Sequence, residues 1–197
     1  MGVSHSYWRI KEEDLRRVLL DTSYGEKFIE GVTTEEFQYY ESIGDESTVG
    51  NIIESHREAI MNSDKFIWTG HWQAIHFLLT DEYCTVGKSK VKPPICNIVM
   101  GGKETPYTNF GCPGNIRYLT SQEVKEVTNY LINIQFDSLR DKYEFEVYNY
   151  YGFQPHHNRW TENSVDELLS DLKKVIEFFD VAAKYQEAIL ITRHTYY

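Results

Sequence analysis

The apolar positions of this chain fall mostly at helical spacing, with strand-like runs at its two ends. His5 to Ile10 is short and rich in aromatic residues and reads as an opening strand; Leu15, Val18 and Leu19 then mark a helix over Glu12 to Leu20. Thr33 with Glu36 three residues on has the form of a capping box, in which hydroxyl and carboxylate each satisfy an orphaned amide. It predicts a short helix carrying Phe37 and Tyr40 and ending at Gly44, followed by another from Val49 to Met61. Trp68, Trp72, Ile75 and Leu79 recur at i, i+4, i+7 and i+11, the spacing of one helical face, although Thr69-Gly70 interrupts it. This face is the expected centre of the core.

Residues 81 to 118 hold nine Gly and Pro residues around one β-like run, Ile95 to Met100, and read as loop with a single strand. Thr120 with Glu123 caps a helix through Val124, Val127 and Leu131. A helix around Leu139 precedes the aromatic stretch from Tyr143 to Phe153, whose rings fit packing in the core better than an exposed recognition surface. Ser164 with Glu167 repeats the capping signature before a long amphipathic helix through Leu168, Leu169, Leu172, Val175, Ile176, Phe179 and Ala183. The β-branched run from Ala188 to Thr195 is expected to pair with the opening strand or with Ile95 to Met100. These elements define an α+β fold: a helix-rich single domain over residues 1–197, with a small mixed or antiparallel sheet that includes the N- and C-terminal strands.

Composition narrows the function. At 197 residues, 41% hydrophobic and 25% charged, the chain has a globular balance and is long enough to bury a core without disulfides or metals. No apolar run approaches the roughly 20 residues of a membrane helix, and the first residues lack the basic start and apolar stretch of a secretory signal, so a cytoplasmic location is expected. Cys84, Cys96 and Cys112 are widely spaced, form no CxxC pair and read as reduced thiols. A formal net charge of −10 repels phosphates, and the only local basic cluster, Lys88, Lys90 and Lys92, is short, so no nucleic-acid partner is expected.

His76 is the most suggestive single residue, because Trp72 and Thr80 lie four positions either side of it on one helical face and all three can line one pocket. A histidine there can serve as acid or base near neutral pH; equally, it can be a core residue bonded to a backbone carbonyl or to the Thr80 hydroxyl. His71, five residues earlier, points elsewhere, so the two form no helical metal pair. His156-His157 lacks any known ligand spacing, and no metal or cofactor is expected. Gly101-Gly102 could bring backbone amides against an anion and roof the His76 pocket, but no P-loop or GxGxxG pattern accompanies it, which favours a tight turn. Neither GxSxG nor HExxH occurs.

The segment Trp72-Gln73-Ala74-Ile75-His76-Phe77-Leu78-Leu79-Thr80 resembles the central motif of the YfbM-like family, domain of unknown function 1877. Three further segments match in order: Asn97 to Gly102, Arg117 to Thr120 leading into Glu123-Val124, and Phe178 to Ala183. Two departures are Asp81, where members often have Gly, and Thr69-Gly70 before the Trp. The resemblance implies a small bacterial or phage-borne cytosolic α+β protein and no particular activity. What the residues favour is a non-catalytic binding protein, an immunity or inhibitor protein for a basic partner being one form. The alternative is an enzyme or small-ligand sensor with a pocket at Trp72, His76, Thr80, Gly101 and Gly102. Oligomeric state is not legible.

Overall fold

The computed structural model describes residues 2–84, 89–108, 115–155 and 159–196, with side chains over 4–84, 89–108, 115–155 and 159–193. Cys112, Lys88 and His156-His157 lie outside the described residues. The order is β1 (Gly2–Lys11), α1 (Glu12–Leu20), α2 (Thr22–Glu30), α3 (Thr34–Ser42), α4 (Glu46–Met61), β2 (Phe66–Thr69), α5 (Trp72–Thr80) and α6 (Asn97–Met100). It continues with β3 (Lys103–Thr108), β4 (Asn115–Leu119), α7 (Ser121–Leu131), α8 (Phe136–Lys142), α9 (Phe145–Tyr151), α10 (Ser164–Lys184) and β5 (Glu187–Tyr196). Among the described residues no helix is long and apolar enough to cross a membrane.

Among the described residues five strands form one antiparallel sheet in the order β2-β1-β5-β4-β3. The two ends of the chain make its centre, paired from Gly2↔Tyr196 to Lys11↔Glu187. Alternation along the strands then divides the core into two layers. Tyr7, Leu119, Ile189 and Ile191 face a large cluster with α5, α7 and α10, whereas Ile10, Tyr118, Ala188 and Leu190 face Leu15 and Val18 of α1 and Ile29 of α2. β5 is therefore covered on both faces, which is why its sequence is a continuous apolar run. A buried charge network crosses the sheet edge. Arg9 lies 3.7 Å from Glu187, which Lys65 also reaches at 2.9 Å, and the guanidinium sits 5.3 Å from the centroid of the Phe178 ring.

The two capping boxes at Thr33 and Thr120 form as their spacing predicts, each hydroxyl accepting from the amide three residues on and each Glu returning to the cap amide. The third does not. Asn163 takes the N-cap position of α10 without a side-chain cap, and Ser164 sits inside the first turn, its Oγ accepting from the Thr161 amide. Ile95 to Met100 is not a strand. Residues 97–100 form one helical turn buried on all sides, and a short apolar run carries no period that separates buried helix from buried strand. The terminal strand accordingly pairs with β1 and β4. Trp68 does not share a helical face with Trp72 either: it belongs to edge strand β2 opposite Ser6 and is 61% exposed, because the chain turns at Gly70 before α5 begins. Asp81, which replaces the glycine common in the resembled motif, caps α5 in the left-handed region at φ 58°, a conformation aspartate tolerates better than most residues.

Candidate functional site

α5 places Trp72, His76 and Thr80 on successive turns, as the sequence predicts, and each is engaged with its neighbours. Trp72 is 1% exposed and lies face to face with His5, ring centroids 4.3 Å apart and 6° from parallel. His5 in turn meets the Val99 carbonyl of α6 through Nδ1 at 3.1 Å. The Thr80 hydroxyl donates to the His76 backbone carbonyl at 2.7 Å and accepts from the Glu82 amide at 3.2 Å. Glu82 returns to the His76 ring, its Oε2 lying 3.1 Å from Nε2. A closed loop of polar contacts thus pins the C-terminal end of α5.

Glu82 is the hub of this loop. Besides His76, its carboxylate accepts from Ser89 Oγ at 2.5 Å and from the Lys90 amide at 2.6 Å. Burial works to raise its pKa, but the bonds from Ser89, Lys90 and His76 outweigh that and hold it near 2. The pKa of His76 moves down, chiefly because burial disfavours its charge, with Glu82 opposing. A neutral imidazole donating from Nε2 to a carboxylate that stays ionised is the state this geometry favours. Ser89 is not set up as a nucleophile, since its hydroxyl bonds the carboxylate rather than the imidazole. Burial pushes the Cys84 thiol up to about 12 and raises Cys96 as well, the reverse of an activated thiolate.

Gly101 and Gly102 serve the backbone. Gly101 ends α6 at φ 70°, and the Gly102 amide donates to the Tyr118 carbonyl at 3.2 Å, where an added Cβ would stand 2.8 Å from that oxygen. Arg117 of β4 donates to the Gly102 carbonyl, closing the turn onto the sheet. Among the described residues no group of three or more His, Cys, Asp or Glu side chains is placed to hold a metal ion.

Two features escape a reading of motifs. The first is a pair one hundred residues apart: His71 Nδ1 lies 2.7 Å from Asp171 Oδ2, and Asp171 also accepts from Thr69 Oγ1 at 3.0 Å and from Lys174 at 2.8 Å. Burial opposes ionisation of Asp171, but these bonds carry its pKa down to about 2. The pair fastens the β2–α5 corner to α10. The second feature is where the charge sits. Residues 21–64 contain eleven Asp and Glu against Lys27 and Arg57, a formal charge of −9 out of the chain's −10, leaving the remaining 153 residues nearly neutral. A running sum along the sequence shows this; the whole-chain total hides it. The same stretch forms α2, α3 and α4, of which α3 has no buried residue and α4 only Val49.

The fold is therefore an α+β domain with an antiparallel sheet centred on its N- and C-terminal strands, and an acidic helical arm beside it. The family model for the domain of unknown function DUF1877 matches residues 1–192, and the chain belongs to that family. A solved structure with the same fold is the crystal structure of YfbM from Escherichia coli, a protein of unknown function. It matches with a TM-score of 0.62 at 12% identity, over 96% of this chain and 99% of that one. No curated protein matches the chain in sequence.

Proposed function

We propose that this protein acts by binding rather than by catalysis and that its partner is basic, neutralisation of a basic effector by an immunity or inhibitor protein being the role that fits. The observation carrying the reading is the concentration of nine of ten net negative charges on residues 21–64, in helices that commit almost no side chain to the core. Charge confined to one region steers an oppositely charged partner onto that region and raises its association rate, which the same charge spread evenly would not do. An enzyme or sensor centred on Trp72, His76 and Thr80 draws less support, since the ring, imidazole and hydroxyl of those residues are taken up by His5, Glu82 and the backbone.

The test is co-purification from the native host of the wild-type chain and of a variant with Glu35, Glu41, Glu46 and Glu54 each changed to Gln. The wild type should retain a stoichiometric basic protein that dissociates as ionic strength rises from ~0.05 to ~0.5 M, where screening shortens the reach of exposed charges severalfold. The variant should lose it. Recovery of no such partner, or of one that the variant holds equally well, sinks the reading.

A further inference from the structure

The outer face of α3 presents a stripe of unlike chemistry. Glu35, Tyr39 and Ile43 follow one another at steps of four residues and so lie one above the next. Tyr39 is 60% exposed and Ile43 54%, and the Tyr40 ring meets that of Tyr39 edge-on at 5.6 Å. Glu41 and Glu46 stand exposed beside them, and the chain has no Lys or Arg between Lys27 and Arg57. Single exposed apolar residues need no explanation, but here Tyr39 and Ile43 stand exposed on one face, with Tyr40 half-buried beside them, among the carboxylates of Glu35, Glu41 and Glu46.

Building on the reading of the arm as partner-facing, we propose that this stripe recognises arginine side chains on a basic protein segment, the guanidinium lying on the exposed Tyr39 ring, which Tyr40 backs edge-on, while Glu35, Glu41 or Glu46 accepts its N–H groups. Arginine fits both halves of the surface. Its planar, weakly hydrated fork lies on an aromatic face and bonds a carboxylate through two N–H groups, whereas the compact lysine ammonium holds its water more tightly. The chain makes the same pairing internally: Arg17 lies 3.9 Å from the centroid of the Tyr24 ring, whose hydroxyl donates to Asp14 at 3.0 Å. Other occupants match the charge poorly. A second copy would set −9 against −9, and a nucleic acid would bring phosphates to carboxylates.

Two synthetic peptides of equal length and charge, alternating Arg-Ser and alternating Lys-Ser, test this by calorimetry at low salt with amide shifts recorded in parallel. The arginine peptide should bind about tenfold tighter, the gain that an exposed cation–π contact together with a paired carboxylate supplies. Its shifts should centre on residues 35–46. Tyr39→Ala with Tyr40→Ala should bring the two peptides within about twofold of each other without changing the lysine affinity, while Tyr39→Phe with Tyr40→Phe should keep the preference, since a ring remains. α3 buries no side chain, so these variants should melt with the wild type. Equal binding of both peptides, shifts centred elsewhere, or a preference that survives the alanine pair overturns the arginine site and leaves the basic-partner reading standing. If neither peptide binds, both fall.

Discussion

α10 buries nine of its 21 residues, whereas α3 and α4, with 9 and 16 residues, bury a single one between them. Both regions show apolar side chains at steps of three and four, so amphipathic spacing alone does not separate them. The difference is what lies opposite. α10 packs on α7 and on the sheet, with Phe179 edge-on to Tyr7 at 6.1 Å. The α3–α4 hairpin is tied to α2 by polar anchors: Lys27 to Glu36 at 2.8 Å, the Thr34 amide and hydroxyl to Glu26 at 2.8 and 2.6 Å, and His56 to the Phe28 carbonyl at 2.9 Å. Helices shorter than about 12 residues are marginal alone, so α3 depends on those anchors. The lesson is that the fold is complete without the arm's outer face, which leaves that face free to serve a partner.

The largest effect that tests this contrast comes from truncating one apolar side chain in each region. Phe179→Ala removes a fully buried ring and should cost about 3–5 kcal/mol, whereas Ile52→Ala on half-buried α4 should cost about 1 kcal/mol or less. Urea midpoints read both. Equal losses would mean that the arm is as much a part of the core as α10.

How much was legible in the sequence follows the same division. α10, the two capping boxes and a sheet that includes both terminal strands are readable because each is set by local spacing or by a signature of a few residues, whereas the choice between a mixed and an antiparallel sheet is not. The four-residue helix Asn97–Met100 was not, since an apolar run buried on every side looks alike in helix and strand. Trp68 was misplaced because a tryptophan four residues before another fits a helix until the turn at Gly70 is known. At the candidate site, the grouping of His76 with Thr80 was legible as an i, i+4 relation. The ring's bond to Glu82 beyond the helix end, and the bond of His71 to Asp171 one hundred residues away, carry no local signal. The acidic arm was present in the residues throughout and vanished only when charge was totalled over the whole chain.

The caps sharpen the comparison at a smaller scale. Thr120→Ala and Thr33→Ala each remove a hydroxyl that accepts from the third amide of its helix, a loss of about 1 kcal/mol in either place. α7 buries Val124, Val127 and Leu131 in the main core, so Thr120→Ala should lower the Tm of the whole protein. Thr33→Ala should leave the Tm nearly unchanged and speed amide exchange only over residues 34–42, because α3 opens locally before the core does. A matching drop in Tm from both variants would contradict that order of opening.

The smallest effect separates the two regions by sign. Asp171 and Glu82, tied to the core, have folded pKa values lowered to about 2, so the stability they contribute is present above the ordinary carboxylate range and is lost as pH falls from about 4 towards 2. Glu30, half-buried at the end of α2, moves the other way: burial first, and then the carboxylate of Glu26, raise it to about 7. Its contribution is complete below the unfolded value of 4.5 and is lost as pH rises through 7. Between pH 5 and 8 the core should therefore gain stability, as His76, whose pKa burial lowers, loses its charge in the unfolded chain, while the arm loosens, visible as a loss of a few-fold in amide protection over residues 22–42 after correction for intrinsic exchange rates. Glu30→Gln should flatten that dependence without altering protection in α10. The same ionisation adds a negative charge to the arm as its packing relaxes, so near neutral pH the arm becomes at once more acidic and freer to adapt its outer face to a basic partner; a pH dependence that survives Glu30→Gln would assign the effect to some other group.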